Sequence, residues 1–163
     1  MHAFHAFLQF LENMPFSQWV QNAPTIWAFP TILVLHTIGM GIVAGGSSML
    51  SFMILGFWPA TVPMKPFVRV FPYMWAAFWL NAVTGTMMLV ADATKKLTTP
   101  DFYLKMACVF IGIYLLVRMR RQVFDDPELD HAPVSSNAKM LAWGSLGCWW
   151  GAILAGRLLA YVK

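Results

Sequence analysis

His36 stands in LVLHTIGMGIVAGG, residues 33 to 46, a run otherwise built from apolar and small side chains. An imidazole in that setting has three uses. It can satisfy its donor and acceptor against a polar group on a neighbouring helix. It can serve as an axial ligand to a b-type haem or a related macrocycle. It can also relay protons, although such a path needs several ionisable groups in sequence across a membrane. Partners for the first use lie on a later run, where Asn81, Thr84, Gly85, Met88 and Asp92 recur at helical spacing and share one stripe. The histidine's own stripe is Phe29, Leu33, His36, Gly39, Met40 and Val43. If the two helices are antiparallel neighbours, His36 and Asn81 lie at similar depth. Under the haem reading, Gly39 leaves room for a flat ring and Met88 or Met87 supplies the second axial ligand. Twelve methionines in so apolar a chain are more simply core filler, so haem b stays an alternative and is not the favoured reading.

The elements that must position these residues are apolar spans. The chain has 163 residues, 59% hydrophobic and 11% charged, the balance of a membrane protein. Glu12 to Lys65 contains no interior Asp, Glu, Lys or Arg, and neither does Val70 to Ala91. About 20 apolar residues suffice for a helix to cross a bilayer. The pattern predicts one all-α domain over 1–163: a short interfacial amphipathic helix over about 2–13 and then four spans, about 25–57, 73–92, 102–119 and 139–162. Phe4, Phe7, Leu8 and Leu11 form the apolar face of the first helix. His2 and His5, three apart on it, are too few to make a metal site. Residues 120 to 138 are polar and contain proline, which places them in water.

Lysine and arginine counts orient the spans. Loops 58–72 and 118–139 hold Lys65, Arg69, Arg118, Arg120, Arg121 and Lys139; the other side holds Lys95, Lys96 and Lys163, with Lys105 and Arg157 just inside. Both termini are therefore expected on the periplasmic side. The formal charge of +4 comes from these clusters, and no basic stripe with interleaved aromatics points to nucleic acid. Asp92, Lys105 and Arg157 share the outer side, which makes an Asp92 to Arg157 ion pair one expectation and a snorkelling Arg157 the other. Cys108 and Cys148 sit in apolar segments as small hydrophobes. No targeting segment is recognisable at the start.

Glycines and aromatics speak to assembly. Gly41 with Gly45, and Gly147 with Gly151, form two GxxxG pairs that let helix backbones approach closely. Trp58, Trp75 and Trp79 read as interface anchors, while Trp143, Trp149 and Trp150 read as one aromatic face able to hold lipid, quinone, carotenoid or another subunit.

The stretches PFSQWVQNAPTIWAFPTILVLHTIGMGIVAGGSSMLSFMILG, NAVTGTMMLVADATKKLTTPDFYLKMACVFIGI and SLGCWWGAILAGRLLAYV resemble, in order and spacing, a family of four-helix bacterial inner-membrane proteins catalogued only as a domain of unknown function. The resemblance covers nearly the whole chain. It implies the four-helix fold and the bacterial inner membrane, and no activity. That family's pattern has an acidic residue three positions before the histidine and Asp-Leu-Arg closing the first helix. Leu33 and Ser51, Phe52, Met53 stand there in this chain, which implies that any proton or ion chemistry has been lost and the scaffold kept.

No nucleophile and base pair, paired carboxylates, phosphate loop or metal spacing occurs, so no catalytic residue is expected. The expected function is a small non-catalytic membrane subunit or accessory protein, with bound lipid, packing against a larger complex that handles electrons or light. The alternatives are an electron carrier with haem on His36 and, more weakly, a permease for an ion or small solute.

Overall fold

The computed structural model describes residues 2–59, 61–126, 129–130 and 133–159, which are helical, with no strand among them. The elements are α1 (His2–Glu12), α2 (Pro15–Asn22), α3 (Phe29–Leu55), α4 (Val70–Ala91), α5 (Ala93–Thr98), α6 (Pro100–Met119) and α7 (Ser136–Leu159). A 3-10 turn, Lys65–Arg69, leads into α4, and a π-helical segment, Arg120–Phe124, extends α6. Three helical stretches are long and apolar enough to cross a membrane: Phe29–Leu55, Lys65–Ala91 and Pro100–Phe124. The expected fourth span folds as α7 but is not among these three, because Ser136, Asn137, Lys139, Ser145 and Arg157 dilute its apolar content.

The long helices pack in the order α4, α3, α7, α6. Glycine sets the α3 to α4 distance. A Cβ on Gly39 would lie 2.9 Å from the Ala77 carbonyl oxygen, one on Gly46 would lie 2.9 Å from Met74 Sδ, and one on Gly85 would lie 2.9 Å from His36 Cε1. Gly112 of α6 makes the same kind of room for Trp149 of α7, whose ring centres a core with Val43, Ala44 and Ala77. Trp149 is 2% exposed, and its Nε1 has no partner among the described residues. The expected single aromatic face on the fourth helix is thus split. Trp143 and Trp150, seven apart, look outward, and Trp149 turns about 100° away into the core.

One end of the molecule carries two short helices, α2 and α5, that lie outside the expected spans. Pro15 occupies the first turn of α2, where its missing N–H costs nothing. Ser17 Oγ donates to the carbonyls of Leu11, at 2.6 Å, and Val90, at 3.4 Å, and Gln21 Nε2 donates to the Ala91 carbonyl. The bonds to Val90 and Ala91 satisfy carbonyls that the end of α4 leaves without helical partners, and the bond to Leu11 does the same at the end of α1. Glu12 Oε1 accepts from the Thr94 backbone N–H at 2.6 Å, which caps α5 in the same manner. On α1, Leu8 is buried while Phe7 and Phe10 are exposed, as suits a helix lying in an interface; the side chains of His2 and Phe4 lie outside the described residues.

At the other end Gly56, with φ of 85°, closes α3 in the left-handed conformation that glycine adopts without strain. The segment after α6, expected in water, instead folds back over the core. Val123, Phe124 and Leu129 are buried with Leu50, Ile54 and Phe71. The Asp130 carboxylate accepts from the backbone N–H groups of Met64 and Lys65, at 2.6 and 3.3 Å, and so ties the two loops of this end together.

Candidate functional site

His36 lies on the α3 to α4 seam, and its partners come from α4. Its Nδ1 is 3.1 Å from the Asn81 backbone carbonyl oxygen and 3.1 Å from Thr84 Oγ1. A carbonyl can only accept, so Nδ1 carries the proton and donates. The reciprocal bond runs from Asn81 Nδ2 to the His36 carbonyl at 2.7 Å. Thr84 Oγ1 spends its own proton on the Leu80 carbonyl at 2.7 Å, which leaves its lone pairs to the imidazole. With Nδ1 committed, Nε2 keeps a lone pair and has no hydrogen-bond partner among the described residues. Asn81 and Thr84 are therefore brought to the histidine as a closed polar layer in an apolar seam.

The residues expected to make a haem slot are placed elsewhere. Gly39 is buried and filled by α4 backbone, the Asn81 nitrogen lying 3.2 Å from its would-be Cβ, so it offers no gap for a ring. Met88 and Met87 pack at the end of α4 with Val20 and Ile32, and the Met88 carbonyl accepts from Lys96 Nζ. The reason is depth along the helix: Met88 is a full turn beyond Thr84, where α2 and α5 already pack on α4.

The expected outer cluster is also rearranged. Arg157 is exposed, and among the described residues it forms no ion pair with Asp92; at the other end of the molecule Arg120 pairs with Asp125 at 3.8 Å. The Lys105 stem lies over Gly156, with Nζ 3.8 Å from a would-be Cβ, on the face of α7 that Arg157 leaves. Asp92 acts instead on Lys96. Burial lowers the Lys96 pKa below the ordinary lysine value, Asp92 opposes that shift, and Lys105 and Lys95 add to it.

The two GxxxG pairs do not hold this chain together. Nothing lies within 4 Å of a Cβ built on Gly41, Gly45 or Gly147, and only Gly151 meets a neighbour, Cys108 Sγ at 3.3 Å. Sequence reasoning missed the contact that joins α3 to α7: Ser47 and Ser145, both fully buried, share a hydrogen bond of 2.8 Å. Two serines inside apolar helices, each in need of a partner, were the available signal. It also missed the glycine contacts at Gly46 and Gly112, because spacing alone does not say which glycine faces a neighbour.

No family model, curated protein or solved structure matches this chain.

Proposed function

We propose that the chain is a four-span protein of a bacterial inner membrane, both termini periplasmic, acting as a small non-catalytic subunit that docks against other membrane helices. The observation that carries this is the open glycine face of α3. Gly41 and Gly45, one turn apart, are exposed with nothing near them, flanked by exposed Ile38 and Ile42. Glycine in a helix costs about 0.5–1 kcal/mol relative to alanine. On a lipid-facing surface it returns no packing, whereas against a second helix it permits close backbone contact. Gly147 between exposed Trp143 and Trp150 presents a second such face on α7. Crossing by α7 is supported by its packing along both α3 and α6 and by Ser145, whose polarity is already matched within the bundle. The basic loops on one side support the orientation.

The test is a double substitution, Gly41→Leu with Gly45→Leu, in gently solubilised membranes. The wild-type chain is expected to migrate in a larger assembly and the variant alone, with unchanged helix content. Equal migration overturns the reading, and exchange between differently tagged copies identifies the partner helix as a second copy of this chain. Electron or light chemistry in the partner is read from the visible spectrum of what co-purifies.

A second reading, ligation of a haem by His36, is favoured by the free Nε2 lone pair opposite an anchored Nδ1–H, the arrangement common to metal-bound imidazoles. A reduced-minus-oxidised haem band in the wild-type chain, lost in His36→Ala, would establish it in place of the first.

A further inference from the structure

At the end of the molecule opposite the N-terminal helices, α4 and α6 part to leave a pocket of about 330 Å³. Its walls are Phe71, Trp75, Leu116 and Val117, and its mouth holds Arg120, Arg121 and Asp125. The π-helical segment builds that mouth. The Asp125 backbone N–H donates to the Arg120 carbonyl at 2.9 Å, five residues back, and the wider turn brings adjacent side chains round by less than an α-helix does. Val123 and Phe124 can then both be buried while Arg120 and Arg121 both reach the pocket. Phe71 is held edge-on by Phe124, ring centroids 5.4 Å apart, and the Arg120 guanidinium lies over its ring at 5.5 Å.

The charges do not balance. Asp125 meets Arg120 at 3.8 Å with both side chains near half exposed, the weak geometry of a surface pair. Arg121 has no ion-pair partner among the described residues. Two guanidiniums against one carboxylate leave a net positive mouth over an apolar cleft. A phosphate diester with hydrocarbon below it matches both parts, since guanidinium forks suit phosphate oxygens and the cleft suits acyl chain.

We propose that this pocket is a specific site for an anionic phospholipid, its phosphate held by Arg120 and Arg121 and its upper acyl carbons held against Phe71, Trp75, Leu116 and Val117. The inference rests on the membrane reading above, so retention of the chain through an alkaline carbonate wash is established first; release at that step overturns both.

The test is native mass spectrometry of the full chain in detergent, titrated with phosphatidylglycerol, with phosphatidylcholine, and separately with inorganic phosphate. Each arginine near an anionic headgroup is worth about fivefold, so phosphatidylglycerol is expected to be preferred on the order of twentyfold. The double variant Arg120→Gln with Arg121→Gln is expected to lose that preference. Val117→Trp, which fills the cleft and keeps the charges, is expected to weaken both lipids. Lys139→Gln, exposed on the same side, is expected to change nothing. If the double variant does not fold, Arg121→Gln alone, at an exposed position, is expected to show about a fivefold loss. Equal binding of the two lipids, a preference that survives loss of the arginines, or free phosphate binding as tightly as the lipid overturns the proposal.

Discussion

The His36 layer and the arginine mouth treat buried and half-buried polarity in opposite ways. On the α3 to α4 seam, His36, Asn81 and Thr84 answer one another within 3.1 Å and leave one lone pair over. At one end of the molecule, where α4 and α6 part, Arg120 and Arg121 face a pocket with a single carboxylate between them. The first arrangement is closed and fixes how two helices meet. The second is open, and a net charge beside an apolar cleft invites something from outside. The difference teaches that matched polar groups fix how two helices meet, whereas surplus charge at an open cleft marks a candidate ligand site.

The strongest way to break this contrast is at Gly39. Gly39→Ala puts a methyl against the Ala77 carbonyl and the Asn81 nitrogen, which are backbone atoms that cannot swing aside. Overpacking of this kind costs about 1–3 kcal/mol, and the loss is expected as a lower unfolding midpoint in detergent. Gly41→Ala, on open space two residues along, is expected to be neutral or slightly stabilising. Equal effects at the two positions would show that the seam is not closed. Asn81→Leu comes next. It removes the bond to the His36 carbonyl, and interhelical hydrogen bonds in membranes are worth about 0.6–1.7 kcal/mol; a double-mutant cycle of His36→Leu with Thr84→Val measures the side-chain coupling across the same seam.

At the open end the expected stability effects shrink while the binding effects do not. Arg120→Gln breaks an exposed pair worth about 0–1 kcal/mol, so it should barely move the unfolding midpoint. A large fall there would make Arg120 part of the closed framework and erase the contrast. The smallest effect concerns Lys96, near Asp92, Lys95 and Lys105. Its folded pKa is lowered by burial, so between that value and the ordinary 10.5 the unfolded chain binds more protons. Stability should therefore rise with pH across that alkaline window. The measurement is the wild-type midpoint relative to Lys96→Met as pH is raised toward 10.5; a difference that falls with pH would contradict the assignment.

Much of the helical framework was legible in advance. Charge-free runs marked the apolar helices within a few residues, because hydrocarbon length and prolines bound them. The partnership of His36 with Asn81 and Thr84 was legible too, since three polar residues in apolar runs have few places to go. The arginine pocket was not. Its arginines read as ordinary orientation charges, and only the π-helical turn, which no residue pattern announced, sets them over a cleft. The Asp92 to Arg157 pairing failed because two residues near one bundle end need not share an azimuth.

The sequence by itself determined that the chain is helical, apolar over several long stretches, basic in particular loops and in need of partners for a few polar side chains. Those properties follow from local periodicity and from the cost of stranding a polar group in hydrocarbon. Tertiary structure alone decided which glycines meet a neighbour, which tryptophan turns inward, and where charge is left over. These depend on the rotation of each helix about its axis, and that rotation is set by packing against all neighbours at once.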